Sequence, residues 1–131
     1  MFKQVHHIGF AVNDLANTMK KVENYYHLPK GEVINIKERE MDAVLYEIGE
    51  TRIEYLCPTT SNSSLKKYID KNGEGIHHIA YLVDNIEDSK KILPEGSLES
   101  VRKSDVGNWL IADFKSEYNI LGIKSQIIQK G

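Results

Sequence analysis

From His6 to Val12 large apolar residues alternate with small ones, Ile8, Phe10 and Val12 on one side and Gly9 and Ala11 on the other, the period of two that marks a strand. Asn13-Asp14 then offers a helix cap, and Leu15, Met19, Val22 and Tyr26 recur at three- and four-residue intervals, which predicts an amphipathic helix with one apolar stripe. Strand-like stretches follow over Met41 to Ile48 and Thr51 to Cys57, with Gly31 to Ile36 as an extra strand. The polar run Thr59-Thr60-Ser61-Asn62-Ser63-Ser64 leads into a short helix from about Leu65 to Asn72, stopped by Gly73. The pattern then restarts, with a strand, a shorter helix from Ile86 through Ile92 and Leu93 ended by Pro94 and Gly96, and strands over Asn108 to Phe114 and Gly122 to Ile128.

The restart is a repeat. His6-His7-Ile8-Gly9-Phe10-Ala11-Val12-Asn13-Asp14-Leu15 recurs as His77-His78-Ile79-Ala80-Tyr81-Leu82-Val83-Asp84-Asn85-Ile86, an offset of 71 (78 minus 7). The chain is therefore expected to be a single domain over 1-131, with module one at about 1-58, a linker at about 59-73 and module two at about 74-131. Each module is too short to bury much apolar surface alone, so the two should fold together or pair between chains.

Composition narrows the function classes. Seventeen basic and nineteen acidic side chains give a net charge of −2, which argues against a broad footprint for nucleic acid. No apolar run has the length of a membrane span, and the start lacks the apolar core of a signal peptide, so a cytoplasmic protein with no membrane partner is expected. The single cysteine, Cys57, has no partner for an intramolecular disulfide and is expected to be a buried, inert thiol.

Strand alternation sends the two histidines of each pair to opposite faces. His6 and His77 share their faces with large residues that should pack on a helix, whereas His7 lies beside Gly9 and Ala11, and His78 beside Ala80, leaving room before the imidazole. A polar residue also recurs downstream in an otherwise apolar strand. Glu54 follows His7 by 47 positions (54 minus 7), and Gln126 follows His78 by 48 (126 minus 78). Four donors in register across a repeat predict a metal site made by His7, Glu54, His78 and Gln126. Two nitrogens and two oxygens, with no sulfur, suit a divalent Mn, Co, Ni, Fe or Zn ion. One carboxylate on a divalent ion leaves the site a formal positive charge that should attract an oxyanion.

The repeated histidine motifs and this donor set resemble the vicinal-oxygen-chelate superfamily, which includes glyoxalase I, extradiol dioxygenases, bleomycin resistance proteins and methylmalonyl-CoA epimerase. His7-Ile8-Gly9-Phe10-Ala11-Val12, Thr51-Arg52-Ile53-Glu54-Tyr55-Leu56 and Lys71-Asn72-Gly73-Glu74-Gly75-Ile76-His77-His78-Ile79-Ala80 look most like the epimerase branch. The resemblance implies an α+β fold in which two β-α-β-β-β modules form a curled mixed sheet around a metal-binding cleft. It also implies a divalent-metal-dependent epimerase that acts on an acyl-CoA thioester through a metal-chelated enolate, in a homodimer. Epimerases carry a carboxylate base ahead of the ligand-bearing strand, and Glu38 is the best match, with Glu40 as fallback; Glu54 is the second catalytic candidate. One departure stands out: epimerases place an amide where this chain has Glu54 and a glutamate where it has Gln126. The loop Lys103-Ser104-Asp105-Val106-Gly107-Asn108-Trp109 also lacks the longer glycine-rich form common in epimerases. The alternatives are a glyoxalase-I-like lactoylglutathione lyase, an extradiol dioxygenase, and a binding or resistance protein that sequesters a small molecule without turnover.

Overall fold

A computed structural model describes residues Met1–Gly131. The elements are β1 (Gln4–Ala11), α1 (Leu15–Tyr26), β2 (Ile34–Ile36), β3 (Met41–Ile48), β4 (Thr51–Pro58), α2 (Ser64–Asn72), β5 (Gly75–Leu82), α3 (Ile86–Ser89), β6 (Arg102–Lys103), β7 (Trp109–Asp113) and β8 (Lys124–Lys130). Hydrogen-bonded neighbours follow the order β2-β3-β4-β1-β5-β8-β7-β6 in one mixed sheet. The α+β class and the doubled strand-helix-three-strand order agree with expectation. Two compact units divide the chain, one of Gly9–Ile76 and one of Met1–Ile8 with His77–Gly131.

In the unit Gly9–Ile76, the Asp14 side chain caps α1 by accepting from the Asn17 amide at 3.0 Å, and the helix ends where His27 turns left-handed at φ 54°. Its apolar stripe buries Leu15 and Val22 against Val44 and Tyr46 of β3, with Met19, Tyr55 and Cys57 alongside. β3 and β4 form an antiparallel hairpin that pairs Leu45 with Glu54 and Ile48 with Thr51. Gly49 supplies the positive φ of 61° that its two-residue turn demands. The extra strand is shorter than predicted, only Ile34–Ile36, because Pro29 and the exposed Glu32 and Val33 precede it with nothing to pair.

In the other unit, β5 and β8 run parallel, with Ala80 opposite Gln126 and Leu82 opposite Ile128. A parallel pair needs a crossover, and α3, β6 and β7 fill it. β7 returns antiparallel to β8 and sets Asp113 directly across from Gln126. Two apolar clusters cover the two faces of these strands: Ala80, Leu82, Ile111 and Ile128 on one, Val83, Ile86, Ala112 and Ile127 on the other. The helix predicted to reach Leu93 stops at Ser89. After buried Ile86 and Ser89, Ile92 is 71% exposed, and Leu93 packs on the Ile86 cluster from beyond the helix end.

Candidate metal centre

The burial pattern of β1 puts His7, Gly9 and Ala11 in the interior and leaves Ile8 and Phe10 half-buried, as the alternation predicts. On β5 His78, Ala80 and Leu82 are buried in the same rhythm. The two inward imidazoles meet: His7 Nε2 stands 3.0 Å from His78 Nε2. Glu54, the third predicted donor, is buried on β4 in the unit Gly9–Ile76. Gln126, on β8, is 5% exposed; its Nε2 donates to Asp113 Oδ1 at 2.8 Å, and its Oε1 has no hydrogen-bond partner.

These residues fit a divalent ion. Two imidazole nitrogens that each bind one ion at about 2.1 Å stand no more than about 4.2 Å apart, and His7 Nε2 and His78 Nε2 meet that limit at 3.0 Å. The buried Gln126 amide oxygen, in the same compact unit, has no hydrogen-bond partner, which is costly unless a cation satisfies it. A buried carboxylate, Glu54, provides the negative charge that a divalent ion would neutralise.

The flanking histidines touch the inner pair: His6 Nδ1 lies 2.8 Å from His7 Nδ1, and His77 Nδ1 lies 2.9 Å from His78 Nδ1. Opposite Cβ directions do not separate adjacent rings, because an imidazole turned along the strand reaches back to its neighbour through Nδ1. If both Nε2 atoms served as ligands, Nδ1 of His7 and of His78 would carry the proton and donate it to the flanking ring. His6 is further fixed by Trp109, whose ring centroid is 4.7 Å away, edge to face. Trp109 also lies 6.3 Å from His7.

Glu38 sits exposed on a one-turn 3-10 helix, Lys37–Arg39, between β2 and β3. Glu40, its fallback, is half-buried in left-handed backbone with φ 52°, and its carbonyl accepts from the Thr59 amide at 2.9 Å. Cys57 is half-buried and donates toward the Asn13 carbonyl at 3.4 Å, and burial pushes its thiol pKa up, which keeps it a poor nucleophile.

Four residues that neighbour the candidate ligands were not given a place beside them by the sequence: Asp113, Trp109, His6 and His77. Asp113 had a readable signal, since Trp109, Ile111 and Asp113 share one face of an otherwise apolar strand. Burial alone would raise its carboxyl pKa, but the Lys124 and Arg102 charges, with hydrogen bonds from Gln126 and Arg102, hold it below the ordinary range. Gly107 matters beside Trp109, because a Cβ there would lie 1.8 Å from the indole ring.

The family model of the Glyoxalase/Bleomycin resistance protein/Dioxygenase superfamily matches residues 6–108. The chain belongs to this superfamily. Its relatives include the mitochondrial methylmalonyl-CoA epimerase of Bos taurus, 31% identical over 84 residues that cover 63% of this chain and 48% of that protein. The match thus spans about half the length of the bovine enzyme. Among solved structures, a hypothetical protein from Bacillus halodurans superposes with a TM-score of 0.84 at 26% identity, over 98% of this chain and 94% of that one. A methylmalonyl-CoA epimerase variant of Streptomyces coelicolor, solved with 2-nitronate-propionyl-CoA, gives a TM-score of 0.84 at 23% identity over 100% and 99% of the two chains, a likeness of fold. The superfamily and the fold expected from the repeated motifs are therefore those observed. No helix is long and apolar enough to cross a membrane.

Proposed function

We propose that this protein is a divalent-metal-dependent epimerase of the methylmalonyl-CoA type. The observation that carries the reading is the approach of two buried imidazoles, His7 Nε2 to His78 Nε2 at 3.0 Å, in the same compact unit as a buried Gln126 amide oxygen with no hydrogen-bond partner. Epimerase relatives and structural neighbours support the reaction class. A divalent ion, Mn, Co, Ni, Fe or Zn, would be held by His7, Glu54, His78 and Gln126 and would supply positive charge beside the thioester carbonyl as proton removal makes it an enolate. Glu54 and Gln126 together contribute one negative charge, which leaves a centre that favours the carboxylate of a malonyl-type substrate.

Glu38 is the proposed base, taking the α-proton from one face of the substrate and leaving a planar carbon that can be reprotonated from the other. Its exposure on the short turn before β3 suits a group that meets its substrate from solvent. Glu54 is the alternative base. The exchange of carboxylate and amide relative to other epimerases moves the charged ligand to the opposite repeat, so deprotonation and reprotonation need not be equally fast. A homodimer in the cytoplasm, with an acyl-CoA thioester as its small-molecule partner, completes the proposal.

The test is deuterium wash-in at the α-carbon of a methylmalonyl thioester in D₂O, followed by NMR. Exchange should occur in the metallated protein, stop on chelation and return with Mn²⁺ or Co²⁺. Glu38→Gln should slow it by about 10²-fold or more, the size of one general base. Conversion of a methylglyoxal thiohemiacetal without wash-in would replace the epimerase by the lyase, and ligand binding with neither reaction would favour sequestration.

A further inference from the structure

A primary amide has nearly the same shape in either orientation, so only its partners decide whether oxygen or nitrogen faces a site. Asp113 stands directly across the β7–β8 ladder from Gln126 and receives its Nε2 at 2.8 Å. A carboxylate accepts and does not donate, so it admits the NH₂ end alone. Asp113 is itself gripped by Arg102 at 3.3 Å and by Lys124 at 3.8 Å, which keep it charged and in place. The result is a buried Oε1 with no hydrogen-bond partner.

We propose that Asp113 is a positioning residue that fixes the Gln126 amide, turning its oxygen to the centre as a neutral ligand and its nitrogen away. The ligand half of this proposal rests on the metal reading above. Arg102 and Lys124 then act one step further back, as the ion pairs that hold the Asp113 side chain in place.

Two measurements separate the parts. In metal-free, ¹⁵N-labelled protein, one Gln126 side-chain amide proton should be shifted downfield and protected from exchange in the parent, and should lose both properties in Asp113→Asn, whose amide can meet Gln126 with either end. Metal affinity, read with Co²⁺ against a chelator, should fall about tenfold in Asp113→Asn, the usual size for a residue behind a ligand. The reciprocal double variant Asp113→Asn/Gln126→Glu restores a donor facing an acceptor with the ligand oxygen free, and should bind Co²⁺ at least as tightly as the parent. Unchanged amide signals in Asp113→Asn, parental affinity in that single variant, or a double variant as weak as the single would each overturn the proposal. If the parent bound no ion while its amide signal still depended on Asp113, the metal reading would fail and the orienting role would stand.

Discussion

At the scale of single residues, the four imidazoles form one line of contacts: His6 to His7 through Nδ1, His7 to His78 through Nε2, and His78 to His77 through Nδ1. In the proposed centre the inner pair are the ligands and the outer pair hold them. His7→Ala and His78→Ala should each abolish stoichiometric binding of a divalent ion. His6→Ala and His77→Ala should keep the ion but weaken it about tenfold, because each removes the acceptor that fixes the ring and tautomer of its neighbour. Metal content after dialysis, with competition against a chelator, distinguishes the two classes; equal loss in all four variants would contradict the assignment. The distinction between inner and outer histidines was legible in the small residues beside His7 and His78. The Nδ1 contacts were not, since strand alternation gives the direction of a Cβ and is silent on the rotamer that follows.

At the scale of elements, one polar clamp ties the first helix to the sheet. Glu23 of α1 accepts from the Tyr46 hydroxyl of β3 at 2.6 Å and from the Gly31 amide at 2.9 Å. Gly31 is confined here, because an added Cβ would stand 2.6 Å from Val44 and 2.9 Å from the Tyr46 ring. The hydrogen bond from Tyr46, then that from Gly31, hold the Glu23 carboxyl below its ordinary value. Burial first, and the bond to Glu23 second, push the Tyr46 hydroxyl well above its own. The signs follow from which state keeps its proton. A depressed carboxyl stabilises the fold above its unfolded pKa and loses that contribution as pH falls through the folded value. A raised phenol keeps its contribution below its unfolded pKa and loses it as pH climbs beyond. The clamp should therefore work across neutral pH and fade at both ends. Tyr46→Phe should lower the urea midpoint at pH 7 while the gap to the parent narrows by about pH 3, where an ordinary carboxyl is protonated. A gap that stayed constant with pH would mean that only packing was lost. The apolar stripe of α1 was plain from Leu15, Met19 and Val22, but Glu23 is one more charge on a charged helix until Tyr46 is placed over it.

At the scale of the whole molecule, the repeat in sequence and the compact units in space do not share boundaries. The repeat begins again near His77, whereas the first eight residues cluster with His77–Gly131. The contacts are specific: the Lys3 amide donates to the Leu82 carbonyl at 2.8 Å, the Phe2 and Tyr81 rings stack with centroids 4.6 Å apart, and His7 meets His78. The approach of His7 to His78 was implied by the repeat, but hydrophobic periodicity carries no record of which strand lies beside another, so the contacts of Phe2 and Lys3 could not be read from the chain. The consequence of these contacts can be tested by deleting Met1–Ile8. A dispensable N-terminal tail would leave the melting curve unchanged. Here the deletion removes His6 and His7, 1% and 3% exposed, together with the bonds to Leu82 and Tyr81, while every residue of the second repeat remains. The amides of β5 and β8 should lose hydrogen-exchange protection, whereas those of α1 and β3, which belong to Gly9–Ile76, should keep more of theirs. Divalent-metal binding should vanish with the missing imidazole. Protection lost first from α1 and β3, or a truncated chain that melted like the parent, would show that the opening residues are not part of the unit built by the second repeat.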